Sequence, residues 1–261
     1  MTQEVINTKL DQLPGKISFI CENLQTGEYM GYREDRPLMA ASVIKLFVMA
    51  FAFHQFETGG LRQDFSLTIY KKDCVPSCGA LTYLHEGISV TALDLVTLMI
   101  IFSDNTATNV LIDLLGMEKI NQYIDSLGFE RTFLNRKMFD VEKSRQGIQN
   151  YITASETGRL LKMMHRGELV SKAASRQMIS ILKNQQLRSK IPFYLQALEE
   201  KPEIAHKTGE DRGITHDVGI VYGNVPLLLC FCGNETDTPA FERIMGELSL
   251  QLYSEVNGSG L

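Results

Sequence analysis

A serine hydroxyl becomes an effective nucleophile only when a nearby base takes its proton. This chain twice sets a Lys three residues after a Ser, at Ser42/Lys45 and at Ser180/Lys183. On a helix that spacing stacks the two side chains, so the amine can approach the hydroxyl. About one such pair is expected by chance in a chain of this length, so position has to choose between them. Ser42 opens a long apolar helical segment, where unpaired backbone N–H groups and the positive end of the dipole favour developing negative charge. Ser180 lies deep inside a helix and has neither. Two rarer strings stand out: Ser103-Asp104-Asn105 between two helical segments, and Lys207-Thr208-Gly209 ahead of a pair of strands. Each has a chance expectation well under about 0.1 per chain. Taken singly, the first reads equally as an Asx-type turn and the second as a strand-edge turn.

Other chemistries lack their signatures. The His residues form no HExxH, and His54, His85 and His165 read as ordinary helix or loop residues. His206 and His216 flank the Lys-Thr-Gly string and are placed to line a cleft. There is no G-x-S-x-G elbow. The pairs Cys74/Cys78 and Cys230/Cys232 include no CxxC and no His at zinc-ligand spacing, so neither a metal nor another cofactor is expected.

These strings need elements to hold them. Lys16 to Leu24 alternates as a strand, Gly27 centres a turn, and the run from Tyr29 returns as its partner. Ser42 to Phe56 is apolar nearly all round, which predicts a helix buried in the middle of something, ended by Gly59 and Gly60. From there to about Lys190 the signals are mostly helical: Thr91 to Phe102, Thr106 to Gly116, Met117 to Gly128, Thr153 to Gly167 and Ser171 to Gln185. Thr153 with Glu156 reads as a capping box. Arg131 to Tyr151 has little periodicity and reads as a long loop. After Pro192 two β-rich runs meet at Gly223 and Asn224, and a helix follows from about Pro239 to Leu252. Strands at both ends and helices between them predict one domain of two lobes. An α/β lobe takes about 1–58 and 191–261 and an all-helical lobe about 59–190, with a cleft between them as the natural site.

Composition narrows the partners. The 261 residues carry a mixed net charge of −5, without the basic run that nucleic acid or an anionic membrane would attract. No apolar stretch reaches the roughly 18 residues of a membrane span, because Lys45 interrupts one candidate and Asp94 another. Met1 to Leu10 lacks the pattern of a secretory signal, so a soluble, cytoplasmic protein is expected as the chain stands, or an exported one if it has been trimmed. Five cysteines, an odd count, favour reduced thiols. Cys230 and Cys232 would share one strand face as small buried hydrophobes.

Ser42-Val43-Ile44-Lys45, Ser103-Asp104-Asn105 and Lys207-Thr208-Gly209, in that order and with strands enclosing a helical insertion, resemble the class A β-lactamases and penicillin-binding proteins. The resemblance implies an α/β (α+β) two-lobed β-lactamase/transpeptidase-like fold, an antiparallel sheet flanked by helices plus an all-helical lobe. It implies Ser42 as nucleophile and Lys45 as its base. Losing the lysine proton near neutrality costs about 4 kcal/mol relative to the free side chain. A second cation about 5 Å away, the role of Lys207 in the family, is worth on the order of 3 kcal/mol at an effective dielectric of about 20. By the same resemblance Ser103 relays a proton to the leaving nitrogen, Asn105 holds the substrate's side-chain amide, and Asp104 serves its own loop. Thr208 and Gly209 lie on the strand that pairs with substrate, and the backbone N–H groups of Ser42 and Glu210 form the oxyanion hole. The expected substrate is a small-molecule β-lactam or a related peptide-like amide or ester.

The chain departs from this pattern twice. Class A enzymes carry a loop Glu that activates the deacylating water. Between Phe133 and Gly147 this chain has only Asp140 and Glu142, which read equally well as part of a solvated loop. The family's carboxylate-anchoring Arg after Lys-Thr-Gly is also missing: Arg212 is offset, and the next strand shows His216-Asp217. The leading expectation is a serine hydrolase of class A β-lactamase type, acylated at Ser42 by a β-lactam or related amide or ester and hydrolysing the acyl-enzyme. The alternatives are a penicillin-binding, D-Ala-D-Ala peptidase-like protein with slow deacylation, or a non-catalytic peptide-binding member of the fold.

Overall fold

The computed structural model describes residues 1–76 and 78–258. In chain order the regular elements are α1 (Gln3–Asp11), β1 (Lys16–Asn23), β2 (Tyr29–Tyr32), β3 (Leu38–Met39), α2 (Lys45–Thr58), β4 (Ser66–Ile69), β5 (Ile88–Thr91), α3 (Ala92–Ile101), α4 (Asn105–Leu115), α5 (Met117–Ser126), α6 (Val141–Arg145), β6 (Tyr151–Ile152), α7 (Ala154–Arg166), α8 (Lys172–Lys183), α9 (Pro192–Leu195), β7 (Glu203–Asp211), β8 (Ile214–Tyr222), β9 (Leu227–Asn234) and α10 (Thr238–Asn257). The chain divides into two compact units, one of Met1–Val43, Ile152–Met163 and Leu187–Leu261, the other of Ile44–Tyr151 and Met164–Gln186.

The first unit is built on a five-stranded antiparallel sheet in the order β2-β1-β9-β8-β7. Period-2 alternation is weak in its inner strands because both faces are covered: all eight residues of β9 are buried. Cys230 and Cys232 lie opposite Ile20 and Ser18 of β1, fully buried, and burial pushes both thiols up. The core of this unit joins Phe19 and Phe231 of the sheet to Phe241, Met245, Leu248 and Leu252 of α10, the i, i+4, i+7, i+11 stripe of a helix lying on a sheet. Ile6 and Leu10, one turn apart on α1, complete it. α1 carries no clear sequence signal, because nine residues offering one such pair give too little periodicity. At the start of α7 the Thr153 hydroxyl accepts from Glu156 N at 3.0 Å, the backbone half of the capping box read from the sequence. A partly buried ion pair, Lys162 with both oxygens of Glu22 at 2.9 and 2.8 Å, ties α7 to β1.

The second unit is helical and centred on α2. Nine consecutive residues of α2, Lys45 to Phe53, are buried, and the helix packs against α3, α4, α5 and α8. Phe47 meets Phe129 edge-on with ring centroids 5.4 Å apart, and Phe51 meets Tyr123 at the same distance. A full capping box opens α3, where Thr91 and Asp94 exchange side-chain and backbone bonds. A small antiparallel pair, β4 with β5, has no counterpart in the sequence reading, since two four-residue strands separated by polar turns carry no pattern of their own. The long loop after Arg131 contains the five-residue helix α6, also too short to show a period.

Candidate active site

Within the helical unit, Lys45 is the first residue of α2 and fully buried. Its Nζ donates to the Ser103 carbonyl at 2.8 Å and to Asn105 Oδ1 at 2.7 Å, and lies 3.1 Å from Ser103 Oγ. Three oxygens match the three N–H bonds of an ammonium. Once one proton leaves, the serine hydroxyl can turn and donate to the amine, so the 3.1 Å contact can carry a proton in either direction. Ser103 turns both its carbonyl and its hydroxyl to the same amine with φ at +55°, a left-handed backbone rare for a residue with a side chain.

The neighbouring residues hold that conformation. Asp104 caps α4 through Oδ1, which accepts from Ala107 N at 2.9 Å, while Oδ2 accepts from Ala80 N at 2.7 Å and Leu81 N at 2.9 Å. Gly79 is required beside it: its φ is +131°, and a Cβ there would sit 2.3 Å from Asp104 Cγ. Asn105 N donates to the Cys78 carbonyl at 3.1 Å, and the Thr106 hydroxyl accepts from Val75 N at 3.0 Å.

One turn further along α4, Asn109 brackets a single loop residue: Oδ1 accepts from Met138 N at 2.8 Å and Nδ2 donates to Met138 O at 2.9 Å. The residue whose backbone is held beside α4 in this way is Met138, itself buried. Asn150 fixes the loop's start by accepting from the N–H groups of Asn135 and Arg136 at 2.7 and 2.9 Å. Of the two carboxylates singled out in this loop, Asp140 caps α6, accepting from Lys143 N at 3.1 Å, and Glu142 is exposed in the first turn of α6. Asparagines are too common in helices and loops alike for Asn109, on α4, and Asn150, in the loop, to stand out in the sequence.

In the sheet unit Ser42 stands in a one-turn 3₁₀ helix, Ala41–Ile44, rather than at the first position of an α-helix, which begins only at Lys45. Ala41 enters that turn at φ +41°, and Val43 N donates back to the Ala40 carbonyl at 3.0 Å. Ser42 is partly exposed. The turn is held from the sheet side. Met39 N donates to Asn234 Oδ1 at 2.6 Å, and the Met39 carbonyl accepts from His216 Nε2 at 2.8 Å. His216 Nδ1 accepts from Gly233 N at 3.0 Å. A ring that donates from one nitrogen and accepts at the other is neutral, and burial together with the nearby Lys190 cation drives its pKa down to about 4. Neither His near the Lys-Thr-Gly string is at the surface. His206 Nδ1 pairs with Asp217 Oδ1 at 2.8 Å, and Asp217 Oδ2 accepts from Ile191 N at 2.9 Å.

Lys207, Thr208, Gly209 and Glu210 lie on β7, the last strand in the sheet order, opposite Val218, Asp217, His216 and Thr215 of β8. Lys207 is fully buried and its Nζ donates to the Thr208 carbonyl at 2.7 Å. Gly209 is what lets β7 approach the turn bearing Ser42. A Cβ on it would come within 3.0 Å of Val43 Cγ2 and of His216 Cδ2, and within 3.3 Å of the Ala40 carbonyl. Arg212 is exposed in the β7–β8 turn. Among the described residues no three His, Cys, Asp or Glu side chains gather as a metal site would need, and no helix is long and apolar enough to cross a membrane.

An antiparallel sheet ending on Lys-Thr-Gly, and a buried lysine bonded to the serine and asparagine of Ser-Asp-Asn, define an α+β serine hydrolase of class A type. The chain belongs to the beta-lactamase enzyme family, whose model matches residues 1–256. A β-lactamase of Proteus vulgaris is 23% identical over 98% of this chain and 87% of its own length, and one of Rhodobacter capsulatus is 29% identical over 48% of this chain and 43% of its own. Among solved structures, a β-lactamase from Sphaerobacter thermophilus superposes with a TM-score of 0.89 at 27% identity, covering 99% of this chain and 98% of that one. PBP-A superposes with a TM-score of 0.86 at 24% identity, covering 97% and 95%.

Proposed function

We propose that this enzyme opens β-lactams by acylating Ser42, and that the acyl-enzyme is released slowly. Lys45 takes the Ser42 proton as the hydroxyl attacks the lactam carbonyl. Lys45 follows Ser42 by three residues and is the first residue of α2, directly after the one-turn 3₁₀ helix that carries the serine. The negative charge that develops on the carbonyl oxygen is taken by the backbone N–H groups of Ser42 and Glu210. The proton then passes from Lys45 to the Ser103 hydroxyl and from there to the departing lactam nitrogen, so the C–N bond breaks without expelling an anion. Lys207 supplies the second positive charge that favours a neutral Lys45, and Thr208 and Gly209 present the strand along which the substrate lies. Asn105, whose Oδ1 is occupied by Lys45, keeps its amide N–H groups for the substrate side chain.

The observation that carries this reading is the buried Lys45 amine 3.1 Å from the Ser103 hydroxyl. Slow release rests on Met138: the loop residue whose backbone Asn109 holds beside α4 carries a thioether that can neither orient nor deprotonate a water, and Asp140 is spent on a helix cap. A single-residue variant of PBP-A, a fold relative, is described as an acyl-enzyme complex with penicillin G. The test is intact mass against time after mixing with benzylpenicillin. A stoichiometric adduct that outlives many minutes supports the reading, rapid appearance of hydrolysed penicillin with no adduct removes slow release, and no adduct and no product removes the acylation itself.

A further inference from the structure

Lys190 belongs to none of the three motifs, yet it is a fully buried ammonium beside the turn end of the β7–β8 hairpin. Its Nζ lies 2.8 Å from Glu210 Oε1 and 3.7 Å from Glu242 Oε1, and donates to the His216 carbonyl at 3.2 Å. Glu242, on α10, also accepts from the Thr215 hydroxyl at 2.7 Å, and Thr215 is the cross-strand partner of Glu210. One cation thus serves two carboxylates, and the burial of the two partners differs sharply: Lys190 is inaccessible, whereas the Glu210 side chain is 54% exposed.

Glu210 is the residue whose N–H is proposed to stabilise the oxyanion, so its carboxylate hangs from the same Cα. Left alone, that carboxylate would oppose both the charge developing on the carbonyl oxygen and any carboxylate on the substrate. We propose that Lys190 is a positioning residue that neutralises and ties back the Glu210 carboxylate, so that this hydrolase accepts acyl donors which themselves carry a carboxylate. The inference rests on the acylation reading above. Burying an ammonium without partners is costly, which explains why Lys190 is met by two carboxylates and a carbonyl. Glu210 is the nearer of the two carboxylates, at hydrogen-bond distance where Glu242 is not, and this contact extends the charge of Lys190 to the oxyanion strand.

The pair of probes is benzylpenicillin, an anion, and its neutral methyl ester, which share one lactam. The readout is the ratio of their acylation rate constants, because a loss of fold integrity lowers both alike. Lys190→Met adds a net negative charge to the cluster and lowers the anion-to-ester ratio by about 10-fold, the size of a like-charge repulsion across several ångströms after solvent screening of a half-exposed carboxylate. Glu210→Gln raises the ratio several-fold, and adding it to Lys190→Met returns the ratio to that of the unaltered enzyme. If Lys190→Met does not fold, the rise in Glu210→Gln alone carries the test. Ratios within twofold of the unaltered enzyme in every folded variant overturn the inference and leave Lys190 as packing only. An unaltered enzyme that reacts with neither probe removes the acylation reading, and this inference falls with it.

Discussion

Acidification from about pH 7.5 to pH 5 should cost this protein about 2 kcal/mol of folding stability through His216 alone. The buried ring has its pKa driven down to about 4 from an ordinary 6.5. Well above pH 6.5 the ring is neutral in the folded and the unfolded chain, and its contribution to the pH dependence vanishes. Below it the unfolded chain binds a proton that the folded one refuses, so stability falls with pH until the folded ring also titrates near pH 4. The whole gap is worth about 3 kcal/mol, of which about 2 has been lost by pH 5. Desolvation is the main cause, and the Lys190 cation adds to it, while the bond to the Met39 carbonyl opposes it. The assay compares urea unfolding of the unaltered enzyme and His216→Gln across this range, because the many carboxylates titrate equally in both and cancel. The stability difference between the two should change by about 2 kcal/mol on acidification, against the unaltered enzyme. A difference that does not change with pH, or ring resonances that titrate near an ordinary pKa of about 6.5 in the folded protein, would refute the assignment of His216 as a neutral clamp on the Ser42 turn.

Further outcomes follow from individual contacts. Met138→Glu should shorten the lifetime of the penicillin adduct at least about 10-fold, below the usual range of what a positioned general base contributes, while leaving the acylation rate within a few-fold. Asp140→Ala should remove the cap of α6, costing about 1 kcal/mol or less by thermal melting, and neither it nor Glu142→Gln should change adduct decay beyond twofold. Gly209→Val should slow acylation at least about 10-fold with both benzylpenicillin and its ester, since even a Cβ meets Val43 and His216 at 3.0 Å and the turn bearing Ser42 must shift.

The parts of this fold that run apolar over many residues, or that open on a capping pattern, are legible in the sequence. The apolar run of α2, the paired strands β8 and β9 and the capped helices of the middle segment all carry such patterns. What escapes is either short or specified by partners distant in the chain. α1 contributes two core side chains, α6 five residues, and β4 and β5 four residues each. The 3₁₀ turn at Ser42 cannot be told from the first turn of α2, because its conformation is imposed by the bonds of Met39 to His216 and Asn234, far along the chain. Of the site, the polar strings can be read as chemistry, since their residue types are unusual together. The residues that hold them cannot: Asn109, Asn150, His216 and Lys190 are ordinary types in ordinary surroundings until the chain folds. Asp140 stands out in the sequence for its charge alone, and the structure supplies it with a capping duty.

Covalent acylation of the Ser42 hydroxyl is read by peptide mapping with tandem mass spectrometry after quenching with acid. The penicilloyl group is expected on the peptide containing Ser42, at that side chain, with no modified peptide from Ser42→Ala treated in the same way. A penicilloyl group found at Ser103, Ser180 or a lysine, or one that persists in Ser42→Ala, would contradict it.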